Sequence, residues 1–102
     1  MTDEKIDTKF YRTSNPKDQR RFCISMSRLY AEDSEFRQHS AHFFPEGQDE
    51  FHVMNTTVYL NEDFKKYITI TGYQTEIEKT KSFLEKKTEI QLTEEDPLGR
   101  TE

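Results

Sequence analysis

The chain has 102 residues, 34% of them charged and 31% hydrophobic, with a net charge of -5 and a mean hydropathy of -1.05. That length suits one domain with a modest core. The 13% aromatic content weighs against wholesale disorder, because each buried ring removes about 150–250 Å² from water. No run approaches the ~20 apolar residues of a membrane helix, and a lone Cys23 excludes a disulfide framework. No apolar run follows Thr2-Asp3-Glu4-Lys5, so the expectation is a cytoplasmic protein without a membrane association.

The charge is unevenly spread. Residues 1–30 carry seven basic and four acidic side chains, and residues 31–63 carry Arg37 against eight acids. Such asymmetry speaks to partners rather than to fold.

In chain order, residues 1–7 read as a charged, disordered N-terminus. Lys9-Phe10-Tyr11-Arg12 fits a short edge strand, and Ser14–Asp18 is turn material around Pro16. From Arg21 to Ser27 the larger Phe22, Ile24 and Met26 alternate with Cys23, Ser25 and Ser27, which favours a strand. The alternative is a helical face starting at Pro16 and carrying Phe22, Met26, Leu29 and Tyr30. Asp33 or Ser34 caps a predicted helix with Phe36, Ser40 and Phe43 on one face, ended by Pro45 and Gly47. Phe51 then opens a long strand to Leu60, whose apolar face switches near Asn55–Thr57, as a bulge would make it do. A turn at Asn61-Glu62-Asp63 leads to a strand through Ile68 and Ile70, ended by Gly72.

Thr75 and Glu78 match a capping box for a helix carrying Ile77, Thr80, Lys81 and Leu84, with Lys86 and Lys87 at its negative end. Ile90 and Leu92 form a last strand, and residues 94–102 read as a disordered acidic tail. Residues 8–93 are thus a single α+β domain. The order is that of a ferredoxin-like βαββαβ antiparallel sheet with two helices on one face, plus an extra N-terminal strand. Its other face is free and carries Tyr59, Tyr67, Thr69 and Thr71.

No motif names a reaction. His39, His42 and His52 are close enough in sequence to share an ion, but the spacing matches no strong zinc signature, so no metal or cofactor is expected. Cys23 has Arg20 and Arg21 nearby in sequence, yet a strand-buried thiol is the ordinary reading. Glycines 47, 72 and 99 are isolated and build no phosphate loop. The expectation is a protein that is not an enzyme.

Two binding readings follow. Glu46, Asp49 and Glu50 crowd one loop beside Phe43, Phe44 and Phe51, the pattern of a patch that docks on the basic surface of a larger protein and modulates it. The alternative is a single-stranded RNA or DNA module. Arg12, Lys17, Arg20, Arg21 and Arg28 would meet the phosphates there, and Tyr67 on the free face would stack a base. Ile68-Thr69-Ile70-Thr71-Gly72 followed by the Ile77 helix resembles the closing strand and helix of a KH domain. The GXXG loop of that family is missing, and no family residue is carried over. Oligomeric state stays open, a homodimer included.

Overall fold

The computed structural model describes residues 5–43, 49–60 and 67–95. The first strand, β1 (Ile6–Thr13), leads to the longest helix, α1 (Pro16–Glu32). A helix rather than a strand forms here because the entry is well built for one. The Asn15 side chain accepts from the Lys17 N–H at 3.0 Å, Pro16 sits at the first helical position, and Asp18 lies in the first turn. Gln19, Phe22, Cys23 and Met26 are buried on one side, whereas Ile24 is 49% exposed. The alternation that favoured a strand therefore included one outward residue, and the helical alternative is the observed one.

A short helix, α2 (Ser34–Gln38), follows, capped by the Asp33 carboxylate accepting from the Phe36 N–H at 3.0 Å. The predicted helix stops there. Residues Ser40–Phe43 form a strand, β2, antiparallel to β3 (Asp49–Val53). The long strand from Phe51 is two strands, β3 and β4 (Thr56–Leu60), joined by a two-residue turn at Met54 and Asn55. Met54 takes φ 55, so the switch of apolar face is a hairpin and not a bulge.

β5 (Ile68–Tyr73) runs directly into α3 (Gln74–Thr88), and β6 (Leu92–Glu94) closes the domain. Tyr73 is the N-cap of α3 and makes no side-chain capping bond. The helix starts too early for Thr75 to be its cap, so the capping box does not form. Ile77, Thr80 and Leu84 are buried on α3 as its periodicity predicted.

The fold is α+β, with a six-stranded antiparallel sheet in the order β2-β3-β4-β5-β1-β6. This is not the ferredoxin-like arrangement. β2 to β5 form a meander, and β1, the extra N-terminal strand, lies between β5 and β6 instead of at an edge. Ile6 and Asp7, placed by sequence in the N-terminal tail, pair with Tyr73 and Gly72. Residues 1–4 and 96–102 lie outside the described residues.

The register separates two sheet faces. Tyr11, Phe51, Val53, Val58, Leu60, Ile68, Ile70 and Leu92 point to one side and join Phe22, Met26, Phe36, Ile77 and Leu84 in a single core. The buried Thr13, Gln19, Thr56 and Thr80 side chains at that core are paired. Thr56 and Thr80 share a hydroxyl bond of 2.8 Å, and the Gln19 Oε1 accepts from the Thr13 N–H and hydroxyl at 3.2 Å each. At the rim, Lys87 near the end of α3 reaches Asp33 at 3.0 Å and Glu35 at 2.6 Å, tying α3 to the α1–α2 junction.

Candidate interaction surface

The opposite face of the sheet is built by the same alternation. Its outward positions are Ile6, Thr8, Phe10 and Arg12 on β1, Ala41 and Phe43 on β2, and Glu50 and His52 on β3. Thr57 and Tyr59 on β4, Thr69, Thr71 and Tyr73 on β5, and Thr93 on β6 complete it. Across the sheet these fall into rows. One runs Phe43–Glu50–Tyr59–Thr69–Phe10, and the next runs Ala41–His52–Thr57–Thr71–Thr8. Thr8 and Thr71 join hydroxyls at 3.0 Å. Ile6 is 61% exposed, Phe43 48%, Tyr73 42% and Tyr59 37%, so this face presents apolar area to solvent.

The expected free face, with Tyr59, Tyr67, Thr69 and Thr71, is present at these positions. Tyr67 lies just before β5 with Phe10 edge-on at 5.8 Å, and the Arg12 guanidinium sits 4.7 Å from its ring centroid. Thr8, Thr57, Ile6 and Tyr73 were not picked out from sequence as members of this face. The alternation inside β1 and β4 was the available signal for the two threonines. Only the pairing of β1 with β5 brings them into one row.

The residues chosen from sequence are dispersed. Phe44 and Glu46 lie outside the described residues. Asp49 and Glu50 are consecutive in β3 and so point to opposite faces. Asp49 faces the helix side, where its carboxylate bonds the His42 Nε2 at 2.7 Å. Glu50 faces outward and bonds the His52 Nε2 at 2.6 Å. Phe43 stands beside His52 with centroids 4.9 Å apart. The patch drawn from sequence is thus reduced, on the uncovered face, to Phe43 and Glu50.

The basic residues are split as well. Arg12 is on the uncovered face, whereas Lys17, Arg20, Arg21 and Arg28 are exposed on α1, which covers the other side of the sheet. Arg21 also meets Asp18 at 3.5 Å. These five cations do not line one track with Tyr67.

The histidines do not converge. His42 stacks on Phe51 at 4.1 Å on the helix side, His52 points outward, and His39 ends α2 against the edge of Phe83. Among the described residues no group of three His, Cys, Asp or Glu side chains is placed to hold a metal ion. Cys23 is buried, and that burial pushes its thiol up to about 12, with the Asp49 charge adding to the shift. It is held as a neutral thiol, far from nucleophilic chemistry. Burial likewise raises the Tyr11 phenol, whose hydroxyl finds no hydrogen-bond partner among the described residues. An open depression of about 640 Å³ lies where α1 and α3 end, lined by Ser25, Arg28, Glu32, Asp33, Lys87 and Glu89 among others. It contains hydroxyls and charges but neither a histidine nor a cysteine.

No described helix is long and apolar enough to cross a membrane. No protein family matches the chain, and no curated protein and no solved structure matches it.

Proposed function

We propose that the protein is a non-enzymatic interaction module that binds another protein chain through the uncovered sheet face. One observation carries this reading. In a chain that is 34% charged, the 14 outward strand positions among the described residues include only Arg12 and Glu50 as fully charged side chains. Aromatic and hydroxyl groups dominate instead. Protein interfaces are depleted of charge at their centre and enriched in Tyr and Phe, and this face has that composition. The Phe43–Glu50 corner is then one margin of the surface rather than a separate acidic patch.

The test is a photo-crosslinking amino acid placed at Tyr59 and, as a control, at Ser27 on the exposed side of α1. The proposal expects protein adducts from Tyr59 and few from Ser27. Adducts from Ser27 alone would overturn it.

The second reading, a single-stranded nucleic-acid module, draws support from Arg12 beside Tyr67 and Phe10. The cations on α1 face away from that site and weaken it. Binding of mixed oligonucleotides at low salt, lost on Arg12→Ala and Tyr67→Ala, would favour it over the protein partner.

A further inference from the structure

We infer that the partner on the uncovered face is a second copy of this chain, packed face to face about a two-fold axis lying along the boundary between β4 and β5. This rests on the reading of that face as a protein-binding surface. The boundary is the midline of the sheet, with β2, β3 and β4 on one side and β5, β1 and β6 on the other. An in-plane two-fold along it lays β4 over the partner's β5, β3 over its β1 and β2 over its β6.

Registers already described then decide which side chains meet. Tyr59 of one copy lies over Thr69 of the other, His52 over Thr8, and Thr57 over Thr71. Tyr59 and His52 thus meet small threonines, and Thr57 packs on Thr71, which suits interdigitating sheets packed about 10 Å apart. Charge agrees with shape. Arg12 and Glu50 sit on β1 and β3, three strand spacings or about 14 Å apart within one chain. In the two-fold pair Glu50 lies over the other copy's Phe10, one outward residue along β1 from Arg12. Each charge then has an opposite partner within a side chain's reach, twice per dimer.

The area is sufficient. Six strands at about 4.8 Å, each about five residues at 3.3 Å, give a face of roughly 500 Å² per copy. The total of about 1,000 Å² reaches the lower bound for a specific interface. A dimer that dissociates in the micromolar range is the expectation, not an obligate one.

Light scattering on the purified chain across a concentration series should show monomer giving way to dimer. Thr69→Arg should leave a monomer. Arg12→Glu and Glu50→Arg should each weaken association by about tenfold, and the double charge reversal should restore it. As a check independent of these substitutions, Thr57→Cys should give a covalent dimer with a short bis-maleimide, and Ser27→Cys should not. A wild-type chain that stays monomeric into the hundreds of micromolar overturns the inference, as does a dimer indifferent to Thr69→Arg. Either result leaves the broader reading intact if Tyr59 still crosslinks to a different protein, and removes it if Tyr59 crosslinks to none.

Discussion

The two faces of this sheet come from the same six strands, yet they follow different rules. On the helix-covered face Tyr11, Phe51, Val53, Val58, Leu60, Ile68, Ile70 and Leu92 are packed to near zero exposure, and polar residues such as Lys9, Ser40, His42 and Asp49 fill other inward positions. On the uncovered face the intervening residues are mainly Thr and aromatics that keep partial exposure. Both sets are β-branched or aromatic, so both satisfy the strand backbone equally. The difference lies in what each face does with its area: one face stabilises the fold, and the other is left open to solvent.

The largest effect should come from the covered side. Leu84 is fully buried on α3 against the sheet, and Leu84→Ala should cost about 2–5 kcal/mol in chemical denaturation. A loss below about 0.5 kcal/mol would contradict that packing. Gly72 should come next. A Cβ there would meet the Thr56 Cγ2 at 3.0 Å and the Asn55 carbonyl oxygen at 3.2 Å, contacts too tight to accept without movement. Gly72→Ala should therefore cost about 1–3 kcal/mol through overpacking, measured as a shift in the denaturation midpoint with unchanged slope.

The helix layer has a pH signature of its own. The Phe36 N–H, with Lys87 second, holds the Asp33 carboxyl below its ordinary 3.8, and Lys87 holds Glu35 below its ordinary 4.5. Groups with lowered values stabilise the fold fully above their unfolded values and lose that contribution as pH falls through the folded ones. Lys87→Met removes its share. The stability gap between wild type and variant should be widest above those two values and narrow as pH drops below them. A gap that is constant with pH would show that Lys87 acts through packing alone. The smallest effect belongs to the uncovered face. Tyr59→Thr, measured at concentrations where the chain is monomeric, should change stability by no more than about 0.5 kcal/mol. A larger loss would mean this face also supports the fold, and the contrast between faces would fail.

Much of this was legible in the sequence, and the misreadings have local causes. β4, β5 and the buried stripe of α3 follow their periodicity, since alternating Val58, Leu60, Ile68 and Ile70 leave one workable register. Residues 16–32 were misread because Phe22, Ile24 and Met26 satisfy period two as well as they satisfy a helix. Asn15-Pro16 was the deciding signal. β2 was hidden because Ser40 and His42, its inward residues, are polar. Their place is set by partners elsewhere, the Phe36 carbonyl for Ser40 and Asp49 with Phe51 for His42. The uncovered face was half visible: β4 and β5 were placed on it correctly. Nothing in residues 6–13 told that β1 would lie beside β5 and carry Phe10 and Arg12 onto the same face.

That position of β1 has a consequence for how the protein is made. The strand synthesised first must wait for β5 and β6, the last two, because Thr8 finds Thr71 only after 63 further residues. Until then the β2–β5 meander and α1 can form local contacts, but the sheet lacks the strand that joins its two parts. Long-range closure of this kind slows folding and couples the whole domain into one step. On a ribosome the chain would reach its native sheet only as α3 and β6 clear the exit, so the early-made Tyr11, buried in the finished fold, stays exposed until then.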